Sequence, residues 1–322
     1  MKEGTKKNPI VVIGAGMVGV STALWLQRSG RDVVLMDKGA PGMGASFGNA
    51  GLIAQWGVAP VTSPTLWREA PPMLLNPHSA LFVKWRHILK IAPWLLQFMS
   101  HATHDETRRI VHDMAALISD AVDQHKSLVA GTPVDAWIKD SKFSYVYRDE
   151  KAFAEDAYTW GLKTEVGFKP TLLTGRAVQE AEPMLGPSAG CLAVLEGQGH
   201  ITNPGAYITA IVAHFTAQGG RFIQSEVRDL VRQNGKVTQI ITADGGIDCD
   251  KVVVTAGIWS KDLMRNLGLR VPMETERGYH VIFENPNAVP NNPMLVLDGK
   301  FGVNPMETGL RCAGTVELGD HH

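Results

Sequence analysis

Pro9-Ile10-Val11-Val12-Ile13-Gly14-Ala15-Gly16-Met17-Val18-Gly19 runs from a short apolar stretch straight into Gly-x-Gly-x-x-Gly. A helical pattern follows from Val20 to Arg28, and Gly30 stops it. Next come Asp32-Val33-Val34-Leu35-Met36 and an acid, Asp37. The order is strand, glycine turn, helix, strand, acid. Each glycine has a mechanical reason: Gly14 for the tight turn, Gly16 for backbone approach to a pyrophosphate, Gly19 for close packing of helix on strand. The helix N-terminus presents unpaired N–H groups to an anion. Asp37 lies 37 − 19 = 18 residues past the last glycine, a spacing that suits a carboxylate accepting from a ribose 2′-OH. The stretch points to dinucleotide binding and by itself leaves FAD and NAD both open.

Bulk properties narrow the class. The chain has 322 residues, 44% of them hydrophobic, enough for a sizeable core in two domains. Its 31 basic and 32 acidic residues give a net charge of −1, which offers no electrostatic case for nucleic acid. Cys191, Cys249 and Cys312 are scattered without Cys-x-x-Cys spacing, so neither a disulfide framework nor a metal site is indicated. Met1 to Asn8 is polar, unlike a signal peptide, and no apolar run is long enough for a membrane span. A cytoplasmic protein is expected.

After Asp37, residues 38–53 alternate glycine with Ala, Met, Phe, Leu and Ile. A flexible connector would carry more polar residues, so this loop is expected to pack its backbone against a flat ligand. Leu81 to Leu96 has helical periodicity, with Leu81, Phe82, Trp85, Ile88, Leu89, Ala92, Leu95 and Leu96 on one face and Lys84, Arg86, His87 and Lys90 on the other. The ordinary reading is a helix packed on its own domain. The alternative is a basic, Trp-bearing helix at a lipid surface, peripheral to the inner membrane. Residues 101–130 read as one long polar helix whose histidines face solvent.

Further on, Asn203 is placed to cap a helix with Pro204 at its first position. His200 lacks a visible partner for acid–base work. Asn234-Gly235 signals a hairpin. Lys251-Val252-Val253-Val254-Thr255-Ala256-Gly257-Ile258-Trp259-Ser260 reads as a buried parallel strand ending in Ala-Gly, where backbone can touch a ligand at the sheet's carboxyl edge. Pro272 to Phe283 is a strand pattern, residues 298–303 are expected to pair beside it, and 310–316 form a further strand.

The fingerprint, Asp37, the loop Gly44-Ala45-Ser46-Phe47-Gly48-Asn49-Ala50-Gly51 and the Val-Val-Val-x-Ala-Gly-x-Trp-Ser pattern together resemble the FAD-dependent D-amino-acid oxidase superfamily, with greatest likeness to its bacterial D-amino-acid dehydrogenase branch. The resemblance implies FAD rather than NAD. It implies an α/β fold in which a Rossmann-type, glutathione-reductase-like FAD-binding domain (1–70 and 190–262) is interleaved with an α+β substrate domain on an antiparallel sheet (71–189 and 263–322). It assigns cofactor contact to Gly14, Ala15, Gly16, Met17, Val18, Gly19, Asp37, Lys38, Ala45, Ser46, Asn49, Ala50, Gly51, Leu52, Val227, Ala256, Gly257 and Trp259. Tyr279 and His280 stand as the catalytic or substrate-contacting candidates. The implied reaction is oxidative deamination of a D-amino acid, with a hydride passing from its α-carbon to flavin N5 and electrons leaving to oxygen or a quinone. Alternatives are a glycine/sarcosine-type amine oxidase and a non-catalytic flavin-binding fragment. Family members run further, through an arginine that grips the substrate carboxylate, so the chain is expected to be C-terminally short.

Overall fold

The computed structural model describes residues 8–68, 81–83 and 85–319. They form two compact units. The first comprises 1–48, 128–135 and 204–273, and the second 49–127, 136–203 and 274–322.

The first unit is built on a four-stranded parallel sheet in the order Lys251–Val254, Ile10–Ile13, Val33–Asp37, Arg221–Gln224. Side chains alternate across a strand, so each strand feeds two cores. Val11, Ile13, Val34 and Met36 pack against Leu230, Ile240, Cys249 and Leu263. Leu230 and Ile240 come from a three-stranded antiparallel sheet of Val227–Gln233, Lys236–Thr242 and Gly245–Asp248. The helices Met17–Arg28 and Pro204–Ala217 also belong to this unit and bury Val20, Ala23, Leu24, Tyr207, Ile211 and Phe215. Gln27 Nε2 joins the two helices by donating to Phe215 O (2.9 Å) and Gln218 O (3.1 Å). Asn234 (φ +51°) and Gly235 (φ +79°) make the tight hairpin their sequence demands. Lys251–Val254 is parallel, but it is an edge strand, and its valines are only half-buried.

The second unit is organised on a nine-stranded sheet. Two long strands at its centre, Ile138–Tyr147 and Cys191–Ile201, are antiparallel neighbours. Here too alternation serves two cores. Phe143, Tyr145, Tyr147, Cys191, Ala193 and Leu195 join Trp160 on one side, while Val146, Leu192, Val194 and Met294 gather on the other. The sheet is mixed, not purely antiparallel: Met294–Val296 runs parallel to Ile138–Tyr147, and Leu81–Val83 parallel to Gly309–Leu318.

Several local expectations are corrected. Residues 81–83 are a strand, and the helix begins only at Trp85 and runs to Ser100. Within it Ile88, Ile91, Trp94 and Leu95 pack with Leu318, whereas Leu89 (88% exposed) and Leu96 (70%) face outward. Lys84 lies outside the described residues. The long helix expected over 101–130 is split into His104–Ile118 and Ala121–Val129: the Thr103 hydroxyl starts the first by accepting from Glu106 N, and Ser119 ends it, its N–H and hydroxyl both donating to Ala115 O. Phe301–Met306 does not pair beside Glu276–Phe283, since Gly309–Leu318 lies between them. Cys191–Ile201 and residues 49–68 belong to the second unit, because the strand pairs throughout with Ile138–Tyr147 and Thr171–Thr174 and with Leu52–Ile53.

Candidate functional site

In an open parallel sheet the segments leaving the carboxyl ends of the strands define a crevice. In the first unit this crevice is a cleft of about 600 Å³. Its walls are the chain immediately after each strand: 13–18, 37–46, 225–228 and 255–266.

The glycine turn is set by sterics. Gly14 has φ +108°, and a Cβ there would lie 2.5 Å from Thr255 O. A Cβ at Gly19 would lie 1.7 Å from Gly14 O, so only glycine lets the helix pass this close. Gly16 differs. Its φ is −80°, and an added Cβ would meet only Ser46 Oγ, at 3.2 Å. Packing constrains position 16 less than 14 or 19, through the Ser46 hydroxyl alone, and its lack of a side chain keeps the cleft open beside the helix start. The helix has no cap from its own N-cap residue. Met17 N–H instead donates to Ser46 Oγ (3.1 Å), which ties the 38–48 loop to the helix end. Gly42 N–H donating to Ala15 O (2.9 Å) adds a second tie.

Asp37 spans the turn: Oδ2 accepts from Ala15 N–H (2.7 Å) and Oδ1 from Gly39 N–H (2.9 Å). Each oxygen keeps a further lone pair for a hydroxyl. Lys38 Nζ sits 3.9 Å from the Trp259 ring centroid on the same cleft wall.

Of the residues assigned from sequence, Gly14, Ala15, Gly16, Met17, Val18, Asp37, Lys38, Ala45, Ser46, Val227, Ala256, Gly257 and Trp259 line this cleft. Gly19 does not, because it packs behind the turn against Gly14. Asn49, Ala50, Gly51 and Leu52 lie in the second unit. The sequence reading missed Ser225, Arg228, Thr255, Asp262 and Asn266. The available signal was positional: each follows a strand of the parallel sheet.

In the second unit, Tyr279 and His280 are neighbours on Glu276–Phe283, at the point where its register with Gly309–Leu318 shifts. Tyr279 is 46% exposed and its hydroxyl is bonded to the Glu317 carboxylate. His200 is a buried strand residue paired with Leu52 and Lys139, and burial, then the Lys139 charge, pushes its pKa down. Lys163 is buried among Trp56, Tyr145 and Trp160, bonded to the Tyr145 hydroxyl, and burial pushes its pKa down to about 8.

The residues fit a dinucleotide. The cleft joins the start of the Met17–Arg28 helix, a glycine that keeps backbone accessible, a carboxylate on the second strand and an aromatic–cation wall.

Comparison with known proteins agrees. Residues 9–322 match the family DAO, described as FAD dependent oxidoreductase. The chain is similar to a D-amino-acid oxidase of Bradyrhizobium diazoefficiens, 34% identical over 96% of this chain and 74% of that protein. It is also similar to a D-amino acid dehydrogenase of Helicobacter pylori, 25% identical over 97% of this chain and 75% of that one. Among solved structures, glycine oxidase from Bacillus cereus superposes with a TM-score of 0.65 at 22% identity, covering 98% of this chain and 73% of that chain, and so shares the fold. Among the described residues, no helix is long and apolar enough to cross a membrane.

Proposed function

Because the chain belongs to the family of FAD-dependent oxidoreductases that act on amino acids, we propose that it oxidatively deaminates a D-amino acid. The likeness to the Bradyrhizobium oxidase over nearly the whole chain supports D over L stereochemistry and an α-amino acid over another amine. FAD, when bound, supplies the two-electron acceptor. The amino acid loses the α-hydrogen with its electron pair and a proton from nitrogen, and water converts the resulting imine to a 2-oxo acid and ammonia.

The chain's own residues bind and orient. The single observation that carries the cofactor reading is the cleft at the carboxyl edge of the parallel sheet, with Gly16 open to it. Gly14 and Gly19 shape the turn, and Ala15, Gly16, Met17 and Val18 present backbone to the pyrophosphate. Asp37 receives the adenosine ribose, and Lys38, Val227 and Trp259 flank the adenosine. Ala45, Ser46, Ala256 and Gly257 line the way to the flavin. Asn49, Ala50, Gly51 and Leu52 meet the flavin itself. Tyr279 is the better placed of the two substrate candidates, since its half-exposed hydroxyl is oriented by Glu317. Oxygen or a quinone takes the electrons. Exposed Leu89, Pro93 and Leu96, at helical spacing beside Lys90, make the outer face of Trp85–Ser100 the candidate for peripheral membrane contact.

The test is anaerobic mixing of FAD-loaded protein with D-alanine, L-alanine, glycine and sarcosine. Bleaching of the flavin absorbance by D-alanine first supports the proposal. Preferential bleaching by glycine or sarcosine would move it to the amine oxidases, and none by any amino acid would leave a flavin-binding fragment.

A further inference from the structure

The Asn49–Gly51 turn is held by two side chains from far along the sequence. Arg311 Nη1 donates to Asn49 O, and Asn304 Nδ2 donates to Ala50 O. Asn304 and Arg311 are directly opposed on the antiparallel strands Phe301–Met306 and Gly309–Leu318, so both side chains leave the same face of the sheet. They are 1% and 5% exposed. The turn is closed further by Asn49 Oδ1 accepting from Gly51 N–H (2.6 Å) and by Gly51 O accepting from Ile201 N–H (2.7 Å). Gly51 has φ +71°, and a Cβ there would lie 2.2 Å from Ile201 O. The turn has no slack in any of these directions.

The register of the two strands runs unbroken from Gly302–Ala313 to Met306–Gly309. Burying a guanidinium costs several kcal/mol unless it is well bonded, and an apolar pair would fill the space more cheaply. Burial pulls the Arg311 pKa down, yet a guanidinium stays charged in proteins. A buried charge and a buried amide thus converge on two successive carbonyls of a single turn.

We propose that Asn304 and Arg311 are positioning residues for the Asn49–Gly51 turn, and that through it they set the orientation and reduction potential of the bound flavin. This rests on the reading that residues 49–52 meet the flavin. A positive charge near a flavin raises its reduction potential, and the Arg311 guanidinium that holds Asn49 O would act on the bound flavin in this way.

Two readouts test this in Asn304→Ala, Arg311→Met and Arg311→Lys proteins. The first is amide hydrogen exchange of residues 49–53 in flavin-free protein. Loss of either bond should speed exchange about tenfold. The second is the flavin absorbance and midpoint potential of FAD-loaded protein. Arg311→Met should lower the potential, Arg311→Lys should keep it, and Asn304→Ala should alter the absorbance. Unchanged exchange in both Asn304→Ala and Arg311→Met would overturn the proposal. Faster exchange with unaltered absorbance and potential would overturn its flavin half. Failure of the underlying reading looks different: a Gly51→Ala protein whose exchange changes while its flavin spectrum does not would show that the turn itself does not meet the flavin. Should Arg311→Met not fold, Asn304→Ser carries the same exchange test.

Discussion

The chain has two glycine turns that serve the same proposed cofactor, and they are built in opposite ways. Gly14–Gly19 is closed mainly by nearby sequence: Gly14 at φ +108° and the 1.7 Å approach of position 19 to Gly14 O are local facts, Asp37, Gly42 and Ser46 bond its backbone, and Thr255 adds one distant support through Gly14 O. Asn49–Gly51 is closed by residues 254 and 262 positions away, and by Ile201. The first turn can be recognised wherever its glycines recur at the right spacing. The second exists only once the large sheet has formed, and its fragility should differ accordingly.

The largest expected effect comes from breaking the local turn. Gly19→Val places atoms inside contact distance of Gly14 O and Thr255 Oγ1. It should cost more than about 4 kcal/mol, in the exceptional range for a single substitution, and leave purified protein without flavin, as urea unfolding and flavin content would show. Gly51→Ala should cost less, about 2–4 kcal/mol from its left-handed φ and the clash with Ile201 O. FAD should stay bound with a shifted visible spectrum, and loss of the cofactor from this variant would erase the distinction between the turns.

A titration probes the second unit from its core. Lys163 is pushed down to about 8 when folded, from 10.5 when unfolded. Between these values the native chain holds fewer protons than the unfolded one, so this group's contribution to stability rises with pH, by up to about 3 kcal/mol. Above about pH 10 the trend reverses, because burial raises Tyr145 and Tyr147, which then ionise only in the unfolded chain. The difference in unfolding free energy between wild type and Lys163→Met, followed from pH 8 to 10, should therefore carry this slope. A flat difference would remove the buried ammonium from the account. The smallest effect is expected at the rim of the first cleft. Lys38→Gln removes the contact with Trp259 and should weaken FAD binding about two- to fivefold, in keeping with the 0.5–1 kcal/mol of an exposed cation–π pair. Fluorescence titration measures it.

The same contrast explains what could be read from sequence. The parallel sheet was legible because Ile10–Ile13, its glycine turn, the Met17–Arg28 helix and Val33–Asp37 follow one another within thirty residues and carry their own signals. The Asn234-Gly235 hairpin was legible for the same reason. Leu81–Val83 read as helix because a strand of three residues has no periodicity of its own and, among the described residues, is fixed by pairing with Val316–Leu318. The break at residues 119–120 turned on one serine within a continuous polar pattern, its hydroxyl folding back onto Ala115 O. Arg311 gave no sign of a role, since a lone arginine in a strand pattern looks solvent-facing until the fold buries it against Asn49. In the first cleft Ser225, Arg228, Asp262 and Asn266 were missed because they hold no motif, only a position at the carboxyl edge.

Gly16 offers the most direct test that the cleft holds FAD. Gly16→Ala adds a Cβ that meets Ser46 Oγ at 3.2 Å, so the variant should fold with a small loss of thermal stability while losing saturable FAD binding. Titrating flavin-free wild type and Gly16→Ala with FAD, beside a thermal melt of each, gives the answer. A folded variant that no longer binds is the predicted result. A folded variant that binds FAD as tightly as wild type would contradict the placement of the cofactor in this cleft.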